Sequence, residues 1–182
     1  MRKATRTTRR AAFALALALL AFLAGGCKHA TDDMAIGKSV RPEGATPPIQ
    51  FKLDSLDDRD VSTGSIAGKP TVISFVTTWD LSSQAQIDYL VPMAKKDGGQ
   101  VNYVMVALQE RQDRELVEVF AHGLGVPFPA AMADQELING GGPFGALKAV
   151  PTTVILDRAA RMVWRHVGIA RPDEIREGLS GL

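Results

Sequence analysis

Thr71-Val72-Ile73-Ser74-Phe75-Val76-Thr77-Thr78-Trp79-Asp80-Leu81-Ser82-Ser83 changes its pattern halfway along. Its first six residues are a β-branched and aromatic run, which predicts a central buried strand. Beyond Trp79, the apolar residues Ile87, Leu90, Val91 and Ala94 recur at spacings of three and four, the period of a helix. Asp80 supplies one possible start for that helix, and the capping-box spacing of Ser83 and Gln86 supplies another, one turn later. Pro92 is expected to kink or shorten it near its end.

The same alternation continues on both sides. Downstream, Val101 to Leu108 predicts a second apolar strand and Arg114 to His122 a second helix, bounded by Gly123. Gly125-Val126-Pro127-Phe128-Pro129 leads to Ala130 to Ala133, and a short helix is expected near Phe144 to Lys148. Val150 to Asp157, the polar turn Arg158-Ala159-Ala160-Arg161 and Met162 to Val167 predict an antiparallel hairpin, followed by a closing helix from about Pro172. Upstream, Gly68-Lys69-Pro70 punctuates the chain. Phe51 to Leu53 and the residues around Val61 are expected as short edge strands joined through Asp57-Asp58-Arg59-Asp60. The sum is an α/β domain over residues 49–182, with a central mixed sheet flanked by helices and an N-terminal β extension.

Residues 1–27 carry Arg2, Lys3, Arg6, Arg9 and Arg10, then an apolar run from Ala11 to Ala24, then Gly25-Gly26-Cys27. That layout predicts a cleaved export signal, since the run is shorter than the roughly 20 residues a permanent span needs. Cys27 is the only cysteine of the 182 residues. Its position after Leu23-Ala24-Gly25-Gly26 is similar to a bacterial lipoprotein processing site, which implies a lipidated Cys27 and membrane attachment in the cell envelope. The departure is that Leu23 stands one place too early. Residues 28–48, with Pro42, Pro47 and Pro48 among polar residues, predict a flexible tether. Net charge is +1, with the positive excess in the leader, and no basic patch points to nucleic acid.

Several landmarks together resemble the bacterial envelope thioredoxin-like family, the membrane-tethered disulfide reductases and cytochrome c maturation proteins. They are Gly68-Lys69-Pro70 before the central strand, Trp79 at its end, Gly125-Val126-Pro127, and Val150-Pro151-Thr152-Thr153 with Leu156-Asp157. The resemblance covers about Pro48 to Leu182 and implies a thioredoxin-like fold. It also implies that Pro151 is cis, and that Val150, Pro151 and Thr152 flank a surface able to pair with an extended peptide. Where the family carries Trp-Cys-x-x-Cys, this chain has Trp79-Asp80-Leu81-Ser82-Ser83.

Asp80 and Ser83 therefore occupy degenerate active-site positions. Disulfide exchange needs a thiolate and a resolving thiol, and neither a carboxylate nor an unactivated hydroxyl replaces them. A peroxiredoxin-like Thr77-x-x-Asp80 pattern fails for the same reason. Asp80 is expected mainly as a helix cap, with Ser82 and Ser83 as turn and cap residues. Serine hydrolysis would need a supported histidine. His29 lies in the tether, His122 ends a helix, and His166 is expected as an exposed strand position. No metal or cofactor is expected, although Asp80 with His166 is a conceivable pair, and Gly140-Gly141-Gly142-Pro143 reads as a flexible loop. Trp79 either builds a peptide-binding surface with Val150 and Pro151 or fills the core.

The expected function is accordingly a non-redox protein- or peptide-binding or assembly role, with a protein or peptide of the envelope as partner. The alternatives are a thiol-disulfide oxidoreductase working with partner thiols, an Asp80-based enzyme, and a relic with a structural role alone.

Overall fold

The computed structural model describes residues 36–182. The proposed leader and Cys27 lie outside the described residues. Strand β1 (Ser39–Val40) precedes the hairpin of β2 (Lys52–Ser55) and β3 (Val61–Ser62) and the one-turn helix α1 (Thr63–Ile66). Then follow β4 (Thr71–Val76), α2 (Leu81–Asp97), β5 (Asn102–Ala107), α3 (Arg114–Gly123), β6 (Ala130–Met132) and α4 (Gln135–Ile138). The hairpin β7 (Thr152–Leu156) and β8 (Met162–Val167) and the helix α5 (Pro172–Leu179) close the domain.

One eight-stranded sheet results, in the order β1-β8-β7-β4-β5-β6-β2-β3. β4 pairs in parallel with β5 and antiparallel with β7, so the sheet is mixed. Every residue of β4 is buried because both faces are covered. Strand alternation sends Ile73, Phe75, Val104, Val106, Val154 and Leu156 to one face, where they pack against Leu53, Ile66 and Phe144. Val72, Val76, Met105 and Ile155 go to the other, against Ile87 and Leu90 of α2, Val117 of α3 and Ile175 of α5. Helix α5 lies close to the sheet at Gly178, where a Cβ would stand 2.4 Å from Ile155 Cδ1.

The helix after the central strand starts at its earlier candidate. Asp80 is the N-cap of α2, and Gly98, in the left-handed region at φ 56°, ends it. Pro92 sits inside α2, and the helix continues past it to Asp97. The short helix expected near Phe144 to Lys148 is absent; those residues form turns and irregular chain. The helix of this region lies earlier, at α4, where the Asp134 side chain accepts from Leu137 N at 2.9 Å.

Residues 36–48, expected as part of a flexible tether, run along the domain instead. β1 pairs antiparallel with β8, Ser39 opposite His166 and Val40 opposite Arg165. Thr46 Oγ1 donates to Met162 O at 2.9 Å, and Pro48 bridges to Arg161. The edge of β8 offers unpaired backbone groups, and this stretch satisfies them.

Candidate functional site

The stretch expected as a degenerate site, Trp79 to Ser83, sits where β4 runs into α2. Asp80 Oδ2 accepts from Ser83 N at 2.7 Å and from Ser83 Oγ at 2.8 Å. Ser83 Oγ in turn accepts from Thr77 N at 3.2 Å. Ser83, expected as a turn and cap residue, is fully buried. Its hydroxyl donates to the carboxylate and accepts from the backbone, so it is held in place and buried away from any substrate, and no histidine among the described residues bonds to it. Asp80 caps the helix and ties down Ser83 with the same oxygen.

Trp79 lies on the surface at 68% exposure, and Leu81 beside it at 82%, so the core-filling alternative for Trp79 does not hold. The Val150–Pro151 peptide bond is cis. Pro151 is buried and Val150 half-buried. Thr152 Oγ1 donates to Ala149 O at 2.7 Å, and Gly168 N donates to Pro151 O at 2.8 Å, which fixes the chain on both sides of Val150. No hydrogen bond among the described residues uses the N–H or C=O of Val150 itself.

Two further residues shape this end of the domain: Gln109, which the sequence reading did not single out, and Gln86, which it read only as part of a capping box. Gln109, at the end of β5, accepts from Thr78 N at 2.7 Å and anchors the β4–α2 turn. Gln86, fully buried on α2, donates to Ala170 O at 3.2 Å and accepts from Ala170 N at 2.7 Å. That amide clamp fixes the β8–α5 loop, which carries the exposed Ile169. The helical stripe of Ser83, Gln86, Leu90 and Met93 is the signal that places Gln86 inward.

His166 is 1% exposed, which corrects the expectation of an exposed strand position. Its ring stacks on Trp164 at 5.7 Å between centroids, and its Nδ1 is 2.9 Å from Ser39 Oγ. Asp80 and His166 thus bond to different partners. Among the described residues, no group of three or more His, Cys, Asp or Glu side chains converges as metal ligands would.

No family model matches the chain. No curated protein matches it either. Solved structures do. A DsbF homologue from Corynebacterium diphtheriae aligns with a TM-score of 0.69 at 17% identity, over 80% of this chain and 94% of that one. A thiol:disulfide interchange protein of the thioredoxin family from Chlorobium tepidum aligns with a TM-score of 0.65 at 22% identity, over 76% and 96%. A secreted Mycobacterium tuberculosis disulfide oxidoreductase homologous to E. coli DsbE aligns with a TM-score of 0.59 at 20% identity, over 73% and 96%. The fold is therefore the thioredoxin-like fold of these disulfide oxidoreductases. The chain's single cysteine, Cys27, lies outside the described residues and far in sequence from Asp80 and Ser83.

Proposed function

We propose that this protein is an exported, lipid-anchored thioredoxin-like module of the bacterial envelope that binds extended polypeptide and does not exchange disulfides. The observation that carries the proposal is a backbone unit at Val150 without a hydrogen-bond partner among the described residues, at the end of β7 that the Phe75–Thr152 register sets beside the end of β4, from which the chain runs on to exposed Trp79 and Leu81. An extended peptide added there would gain main-chain hydrogen bonds from Val150 and apolar contact from Trp79, Leu81 and Ile169. Exposed aromatic side chains of this kind commonly anchor interfaces.

The loss of redox chemistry follows from composition, because disulfide exchange at this position requires two sulfurs. What supports the cap role of Asp80 over an acid-base role is that Oδ2 is already engaged by both Ser83 groups. Export and lipidation are inferred from the basic and apolar leader and from Cys27. Among the described residues, no helix is long and apolar enough to cross a membrane.

The test is photo-crosslinking from position 79 or 150 in the native envelope, paired with titration of unfolded polypeptides onto the purified chain. A captured partner whose binding falls at least tenfold with Trp79→Ala, at unchanged thermal stability, is the expected result. Binding indifferent to both Trp79→Ala and Leu81→Ala would overturn it.

A further inference from the structure

Four polar side chains stand in one row across the sheet. Ser74 on β4 is the register partner of Thr153 on β7, Thr153 of His166 on β8, and His166 of Ser39 on β1. Ser74 Oγ and Thr153 Oγ1 are 3.1 Å apart, and His166 Nδ1 and Ser39 Oγ 2.9 Å. The row lies on the face toward α2 and α5, since Ser74 alternates with Ile73 and Phe75 and so shares a side with Val72 and Val76. Ser74, Thr153 and His166 are buried; Ser39 alone is exposed. His166 Nε2 has no hydrogen-bond partner, so the ring is held by one nitrogen and by Trp164.

Ser39 belongs to a strap that runs antiparallel to β8 and pairs with it or its turn near both ends. Gly37 N donates to Val167 O at 2.7 Å at one end, and Ile49 N to Ala160 O at 2.8 Å at the other. Gly168 makes room for the start of the strap, because a Cβ there would meet Ile36 Cγ2 at 3.2 Å. Yet the strap buries little. Ile36, Gly37, Lys38 and Ser39 are all exposed, and β1 is two residues long. An edge element with so few buried apolar contacts opens more readily than the sheet it borders.

We propose that residues 36–48 are an acid-released strap, in which His166 is the sensor: opening of β1 admits water and a proton to the imidazole, and the charged ring then disfavours closure. The groups around the ring offset that charge only in part: burial disfavours the charged ring, and outweighs both Glu174 and the Ile169 backbone, which favour it. Glu174 on α5 is the acid whose field reaches it, but its carboxylate accepts from Arg171 N at 2.8 Å and lies 3.7 Å from Arg171 Nε. Arg165, next along β8, points to the opposite face and donates to the carbonyls of Phe144 and Ala146. β7 presents Thr153, β1 Ser39, and α2 the neutral Gln86.

Burial holds His166 below the ordinary histidine value, against the pull of Glu174. The closed strap therefore selects the neutral ring. Closure is complete above about pH 6.5, where an open histidine is also neutral, and weakens below it. The closed-to-open ratio falls by up to about tenfold per pH unit until the lowered value of the closed form is reached. A released strap of this span extends to at most about 45 Å.

Amide hydrogen exchange on the full-length chain at pH 7.5 and pH 5.0, corrected for intrinsic rates, tests the strap. The expected result is a loss of protection at Gly37 and Val40 at pH 5.0, with Met105 and Val106 in the central sheet unchanged. His166→Gln keeps a neutral side chain and is expected to remove the pH dependence, while His122→Gln, at an exposed helix end, is expected to preserve it. Should His166→Gln perturb the fold, NMR titration of the wild-type imidazole remains decisive. Equal protection at both pH values, an equal loss in His166→Gln, or parallel loss at Met105 would each overturn the proposal.

Discussion

The Asp80 carboxylate holds Ser83 by two hydrogen bonds to one oxygen, at 2.7 Å from the backbone nitrogen and 2.8 Å from the hydroxyl. By the resemblance to the thioredoxin-like family, these are the positions at which thiol-disulfide chemistry would need sulfur. They form a self-contained polar cap in which one side chain satisfies the other, and Thr77 N completes the set at 3.2 Å.

Removing that cap is expected to cost stability and nothing else. Asp80→Ala should lower unfolding free energy by about 1 kcal/mol, because the Ser83 N–H and hydroxyl lose their acceptor. Asp80→Asn keeps an acceptor and should lose less than half as much. Urea denaturation at pH 7 checks both.

Restoring sulfur is expected to restore chemistry. Asp80→Cys with Ser83→Cys, in a Cys27→Ser background, places one thiol at the α2 N-terminus, where the helix dipole favours a thiolate, and a second one turn along. Insulin reduction by this variant and none by the wild-type chain is the expected outcome. Activity in the unaltered chain would show that sulfur at these positions is dispensable.

Gln86 is expected to be among the most sensitive polar positions. Gln86→Ala strips Ala170 of both its N–H and C=O partners in a buried setting, at a cost of about 2–3 kcal/mol. The readout is global stability together with faster hydrogen exchange at Ala170. A stability change below about 0.5 kcal/mol would contradict the clamp.

Asp97 links three elements. It accepts from Tyr103 Oη at 2.6 Å and from Arg176 at 2.7 and 2.9 Å. Burial pushes its carboxyl up, but the hydrogen bonds from Arg176 and Tyr103 together outweigh burial and hold it below the usual value. A carboxyl lowered in the folded state adds stability above the unfolded value near 3.9, and that part is lost as pH falls through the folded value. Asp97→Asn should therefore cost about 2 kcal/mol at pH 7 and much less at pH 3, as measured by urea midpoints at both.

Much of the fold was legible because its signals are local. The β-branched run of β4, the three-and-four spacing of α2 and the polar turn between β7 and β8 each specify an element within a few residues. Asp80 as the helix cap was equally local, since its acceptor role acts three residues ahead. The short helix was misplaced because Phe144 and Leu147 are apolar for another reason: both fill the sheet core from irregular chain.

Sequence by itself determined the βα order of this domain, Asp80 as one of two candidate helix starts and the absence of sulfur from positions 80 and 83, because periodicity, capping and composition act over short stretches. Only the tertiary structure decided that Trp79 lies outside, that Gln86 meets Ala170, and that His166 is buried under a strap whose Ser39 lies 127 positions away. The reason is physical: a polar side chain's burial depends on which distant edge or loop arrives to cover it, and no local pattern encodes that arrival.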